Sequence, residues 1–138
     1  MPPTLEQAII CDDVRLEVGN KVTLVGVYGK HIFLPRDIKF PGRLTQLCIF
    51  TRWLGFGGGE KVFVGVEYEN EVFVKPEDPN IVTKPNVLED FSQLSFNFPG
   101  FLVKGFGQYR VKIYLGEPDN LFAKTSFSID PQPSPAIG

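Results

Sequence analysis

Gly107-Gln108-Tyr109-Arg110-Val111-Lys112-Ile113-Tyr114-Leu115 is the stretch whose reading decides the fold. Tyr109, Val111, Ile113 and Leu115 alternate with Gln108, Arg110, Lys112 and Tyr114. A period of two puts one set of side chains into a core and the other into water, which is a half-buried strand. Gly116-Glu117-Pro118-Asp119-Asn120 then reads as a turn, and Leu121 to Ile129 as a second strand. A strand opening on Gly-x-Tyr and leading into a hairpin is how many immunoglobulin-like sandwiches end.

Working outward, the same alternation recurs. Leu5 to Asp12 reads as a strand with a bend at Asp13, and Val14, Leu16 and Val18 continue it. Gly19-Asn20 is a turn dipeptide, so Val14 to Tyr28 reads as a hairpin. Its second limb, Lys21 to Tyr28, is apolar on both faces, which predicts a central or doubly covered strand. His31 to Leu34 is a short strand. Pro35 and Pro41 bracket a loop that crosses between sheets. Leu44 to Leu54 is a strand with Leu47, Ile49 and Trp53 on one face. Gly55 to Glu60 reads as a flexible hairpin tip joining it to Lys61–Glu69, where Val62, Val64, Val66 and Tyr68 share a face. Glu71 to Val74 is a short strand or the end of the last one. Periodicity is lost from Lys75 to Glu89, and Val87 to Phe91 has room for one helical turn. Ser92 to Phe98 is a strand with Leu94, Phe96 and Phe98 inward, and Pro99-Gly100 turns the chain.

Composition agrees with strands. The 138 residues include 14 Gly and 12 Pro, and 43% are hydrophobic, with 13 Phe. Runs of good helix formers are missing. The expectation is a single antiparallel two-sheet β-sandwich of about seven to nine strands, immunoglobulin-like or C2-like. It spans residues 1–130, with 131–138 a Pro-rich flexible tail.

Charge and motifs narrow the function. Net charge is −2, with no Lys/Arg run, so the basic footprint of a nucleic-acid binder is missing. No apolar run approaches the ~18 residues of a membrane span. Met1 to Glu6 does not read as a secretory leader, and Cys11 and Cys48 read as reduced thiols, with a disulfide, which needs their Cα atoms within about 7 Å, as the competing reading. The expected location is the cytoplasm. His31 is the one histidine, with no catalytic signature around it; it reads as an uncommitted surface residue, and no nucleophile, base and orienter stand in recognisable order. The expectation is therefore a non-enzyme with no cofactor. Calcium would need acids gathered in loops at one end. Asp12-Asp13, Glu77-Asp78, Glu89-Asp90 and Asp119 lack that repeat and read as solvated turn acids, with Asp12 or Asp13 pairing with Arg15 or capping a turn.

Two structural readings remain open for Tyr109: a tyrosine corner, with its hydroxyl folded back onto upstream backbone, or a core tyrosine with the hydroxyl at the rim. Trp53 reads as core. Phe98-Pro-Gly-Phe-Leu-Val-Lys-Gly-Phe106 holds Phe98, Phe101, Leu102, Val103 and Phe106 around two turns, more apolar surface than a short loop hides. Phe98, Phe101, Leu102 and Phe106, with Phe56 in the Gly-rich tip, are the candidate interface; a lid folded over the open end of the sandwich is the competing reading.

Ile10-Cys11-Asp12-Asp13-Val14-Arg15-Leu16-Glu17, then Gly19-Asn20-Lys21 and Gly26-Val27-Tyr28, resembles the opening of a family of small bacterial proteins of unknown function. That family has a Cys-Asp-Asp-x-Arg-x-Glu stretch, a Gly-Lys hairpin and a Gly-Val-Tyr strand, and ends on a Gly-x-Tyr strand and a Phe-x-Ile/Val strand. The resemblance covers most of the chain and implies a bacterial cytoplasmic origin. The family carries no known activity, so it implies no site residues. The functional expectation is a protein-binding or assembly module, with a protein partner or self-association, acting through a sheet edge or the Phe101/Phe106 loop. The alternative is a small-ligand module that binds carbohydrate or calcium through loops at one end.

Overall fold

The structure is a computed structural model that describes residues 3–18, 21–82 and 91–133. Among these residues there is no helix and there are ten strands: β1 (Thr4–Leu16), β2 (Val22–Val27), β3 (His31–Leu34), β4 (Gly42–Leu54), β5 (Lys61–Tyr68), β6 (Glu71–Val74), β7 (Asn80–Ile81), β8 (Phe91–Val103), β9 (Gly107–Leu115) and β10 (Leu121–Pro131). They form two sheets, ordered β2-β1-β4-β8 and β3-β10-β9-β5-β6, with β7 also on β5. One cluster of buried residues, drawn from both sheets, fills the space between them. The fold is a β-sandwich.

The decisive stretch sits at the middle of the larger sheet. β9 pairs with β10 on one side and β5 on the other. Tyr109, Val111 and Ile113 are fully buried, as the alternation requires. The turn after it closes as expected: Asn120 donates its side-chain amide to the Leu115 carbonyl at 2.8 Å, and Gly116 takes φ 82°. That conformation costs a residue with a Cβ but not glycine.

Several connections differ from the sequence reading. β1 runs unbroken through Asp13. β2 is not central: it is the edge of the four-stranded sheet, and Val27 is well exposed. Two apolar faces mark covering on both sides only when the strand lies inside a sandwich, and here the chain has placed them at an edge. β4 and β5 are not a hairpin, because they belong to different sheets. Gly55–Glu60 is a crossing held in place by hydrogen bonds: Glu60 accepts from Gly57 N at 2.8 Å and Gly58 N at 2.7 Å, and Gly59 N donates to Val82 O at 2.7 Å. Pro99-Gly100 does not turn the chain. β8 keeps register with β4 from Phe91 to Val103, and a proline fits because β8 is an edge strand. Gly100 takes φ 61° inside that strand, and its carbonyl accepts from Arg43 Nη1 at 2.8 Å.

The pairing is antiparallel except for β3 on β10, which run parallel. This pairing carries residues 131 and 132 into the domain, where Pro131 faces Leu34 and Gln132 N donates to Leu34 O at 2.8 Å. The sandwich therefore reaches at least Gln132, past the expected boundary at residue 130. Part of the aperiodic 75–91 stretch is also structured, as β7. The Gly19-Asn20 turn, the expected helical turn before Phe91, and tail residues 134–138 lie outside the described residues.

Candidate functional site

The register of three strands builds the site. Tyr68 of β5 and Phe127 of β10 both stand opposite Tyr109 of β9. Directly opposed side chains on one face of a sheet touch, so the three rings stack. Tyr68 and Tyr109 centroids are 4.7 Å apart, and Tyr109 and Phe127 are 5.3 Å apart with planes within 6°. Phe101 of β8 and Phe73 of β6 close around Tyr109 from the opposite sheet and the sheet edge.

Tyr109 is a tyrosine corner. Its hydroxyl donates to the Gly105 carbonyl at 2.7 Å and accepts from the amides of Lys104 at 3.0 Å and Gly105 at 3.1 Å. Burial raises its pKa, so the hydroxyl keeps its proton to donate. The corner folds the Lys104–Phe106 loop back on the sheet. Tyr68 grips the same loop by donating to the Phe106 carbonyl at 2.7 Å. Gly105 has no alternative there, because a Cβ would lie 2.5 Å from the Tyr68 hydroxyl oxygen.

The gripped loop is one wall of a groove of about 480 Å³, lined by Phe40, Pro41, Tyr68, Glu69, Glu71, Leu102 and Lys104. Phe40 meets Phe106 edge to face at 4.9 Å. The groove opens between the edge of each sheet, β8 on one side and β6 on the other. Lys104 links the two edges. Its ammonium lies 3.3 Å from the Glu71 carboxylate and 5.4 Å from the centre of the Phe73 ring. Round the corner, Tyr68 and Glu69 also line a smaller recess of about 230 Å³, with Phe106, Gly107, Glu67 and Arg110.

The candidate interface residues part company here. Leu102 lines the groove, and Phe106 lines the neighbouring recess and packs on Phe40. Phe101 and Phe56 are buried, and Phe98 is half-buried against Phe101 at 6.2 Å. Phe101 fails as an exposed contact because the predicted loop is strand: β8 carries it inward. Phe101 and Val103 are buried as inward residues of β8, not as part of a loop lid. Trp53 is core, and its indole N–H donates to Thr51 Oγ1 at 2.8 Å. Sequence reasoning missed Phe40, Tyr68, Glu71 and Lys104. They come from three segments far apart in the chain, around Phe40, at the β5–β6 turn and after β8, and the prolines on either side of Phe40 were the one local hint.

Asp12 does not pair with Arg15. Its carboxylate accepts from the Tyr28 hydroxyl, and burial together with that bond pushes the Tyr28 pKa up to about 12. Asp13 accepts from its neighbour Val14 N at 2.9 Å and from Gln46 at 3.2 Å. Arg15 is exposed and makes no ion pair among the described residues. Cys11 and Cys48 face each other across β1 and β4, both free and buried. Burial and the neighbouring thiol push Cys11 up to about 11, and burial also raises Cys48, so neither is a ready nucleophile.

His31 is not uncommitted. Its Nδ1 lies 2.9 Å from Ser128 Oγ and 2.7 Å from Asp130 Oδ2, while Ser128 donates to Asp130 at 2.5 Å. Hydroxyl and carboxylate share one ring nitrogen, and the hydroxyl gives its proton to the carboxylate. A relay needs the nucleophile on one ring nitrogen and the orienter on the other, so the cluster clips β3 to β10. Among the described residues, no three His, Cys, Asp or Glu side chains gather in metal-holding geometry. No protein-family model and no curated protein matches this chain.

Proposed function

We propose that the protein is a non-enzymatic binding or assembly module that takes a protein chain into the groove between β6 and β8. The observation that carries this reading is the pair of strand edges, unpaired among the described residues, that flank an apolar floor of Phe40, Pro41, Leu102 and Tyr68. Unpaired edges offer amides and carbonyls to an incoming segment, and side-chain pockets beside them select it. Lys104 and Glu71 give the rim both signs of charge. A cytoplasmic, bacterial setting is supported by the two free thiols and by the family resemblance of the residue 10–28 stretch. Among the described residues no helix is long and apolar enough to cross a membrane.

The test pairs Phe40→Glu with Leu102→Glu, which leave the buried Phe101 and Tyr109 alone. Its readouts are the mass by light scattering and the proteins retained from a host extract, with the thermal midpoint as the folding control. The folded variant loses self-association or its retained partner. A folded variant with mass and partners unchanged sinks the proposal.

A further inference from the structure

We infer that the occupant of the groove is the β1–β2 arm of a second copy of this chain, exchanged reciprocally in a two-fold dimer. This inference rests on the groove being a binding surface and names what fills it. β1 pairs with β4 only as far as Cys11, then continues with β2 as a two-stranded arm in which Leu16 faces Val22. A lone two-stranded ribbon has no sheet to bury its apolar side chains. Accordingly Leu16 is 86% and Val18 91% exposed, the two most exposed large apolar side chains among the described residues. Paired apolar side chains at the end of a projecting element mark a contact site.

The arm is complementary to the groove in chemistry and position. Leu16 and Val18 match the floor of Phe40, Pro41 and Leu102. The exposed cations Arg15 and Lys21 flank them, and the groove rim offers the Glu69 carboxylate beside the Lys104–Glu71 pair. Opposite charges arranged this way fix register and exclude other partners. Position sets the symmetry. Because β1 is antiparallel to β4, the arm leaves from the end where β4 begins, and β4 begins opposite Val103 at the end of β8. Arm and groove thus share one end of the sandwich but lie at opposite edges of the same sheet, β2 at one and β8 at the other. A two-fold axis along the sheet normal at that end lays each arm over the other copy's groove. Such an isologous contact uses both surfaces and stops at two copies.

The experiment is light scattering after size exclusion across a range of loading concentrations, with circular dichroism to confirm folding. The unmodified chain is expected to reach twice the single-chain mass. Leu16→Ser with Val18→Ser, which removes no core contact, is expected to fall twofold to the single-chain mass, and so is Phe40→Glu with Leu102→Glu. Mixing these two variants reunites one intact groove with one intact arm and is expected to restore a dimer. A single-chain mass for the unmodified protein at every concentration overturns the inference. A dimer that survives the arm change but not the groove change also overturns it, while leaving the groove reading in place. A dimer that survives both changes removes both.

Discussion

β9 and the β1–β2 arm carry the same signal, apolar residues at every second position, and meet opposite fates. In β9, Tyr109, Val111 and Ile113 vanish into the core, and in the arm Leu16 and Val18 stand in water. Alternation states that a strand has an apolar face. It does not state what lies against that face. β9 has two strand neighbours and a facing sheet, while the arm has only its own partner strand beyond Cys11.

The sharpest way to break that comparison is to remove a side chain from each region. Phe127→Ala takes out one ring of the three-ring stack and is expected to cost about 3–5 kcal/mol. Val18→Ala is expected to change stability by about 0.5 kcal/mol or less. Urea unfolding of both variants, at a dilution that holds the protein as single copies, checks the contrast, and similar losses would show that the arm packs against its own copy. Next is the tyrosine corner. Tyr109→Phe keeps the ring and strips the hydroxyl from two amides and a carbonyl, leaving buried groups unsatisfied at about 1–3 kcal/mol. A fall in the urea midpoint with an unchanged slope is the expected result.

Gly105→Ala tests the grip on the loop. Its Cβ would collide with the Tyr68 hydroxyl, at about 1–3 kcal/mol. Combined with Tyr68→Phe, the penalty is expected to be less than the sum of the two single changes, because the collision partner is gone. Strict additivity would place the strain elsewhere. The smallest effect is expected at the base of the arm. The Tyr28 phenol is held protonated, with its pKa raised from 10.0 to about 12 by burial and then by Asp12. A raised pKa contributes stability that is fully present below the unfolded value and is lost as pH rises through the folded value. Stability is therefore expected to decline between pH 10 and 12, and Tyr28→Phe is expected to lose that component of the decline. Chemical denaturation at several alkaline pH values reads it, and superimposable profiles would mean the Tyr28–Asp12 bond does not anchor the arm.

How legible the molecule was depends on the range of each interaction. The turn at Gly116–Asn120 and the strands around it were readable because turn chemistry and period-two burial are local. Tyr109 was readable as a corner candidate because its hydroxyl reaches only as far as Gly105. β2 misled because an apolar second face looks alike in the sequence whether a sheet covers it or it stands exposed at an edge, as Val27 does. Gly55–Glu60 misled because a Gly-rich stretch between two strands suits either a hairpin or a crossing between sheets. Pro99-Gly100 misled because proline breaks a central strand but is tolerated at an edge, and edge position is a property of the assembled sheet.

The sequence by itself determined the all-β class, the buried alternation of β9, the core role of Trp53 and the closing hairpin, since each follows from backbone preference and side-chain periodicity within about ten residues. Only the tertiary structure decided which strands are edges, that β3 joins β10 in parallel, that Cys11 faces Cys48, and that Phe40, Tyr68, Glu71, Leu102 and Lys104 line one groove. Those facts depend on contacts between residues tens of positions apart. Such contacts form only when the whole chain buries its apolar faces together, and no local pattern encodes which partner each face will meet.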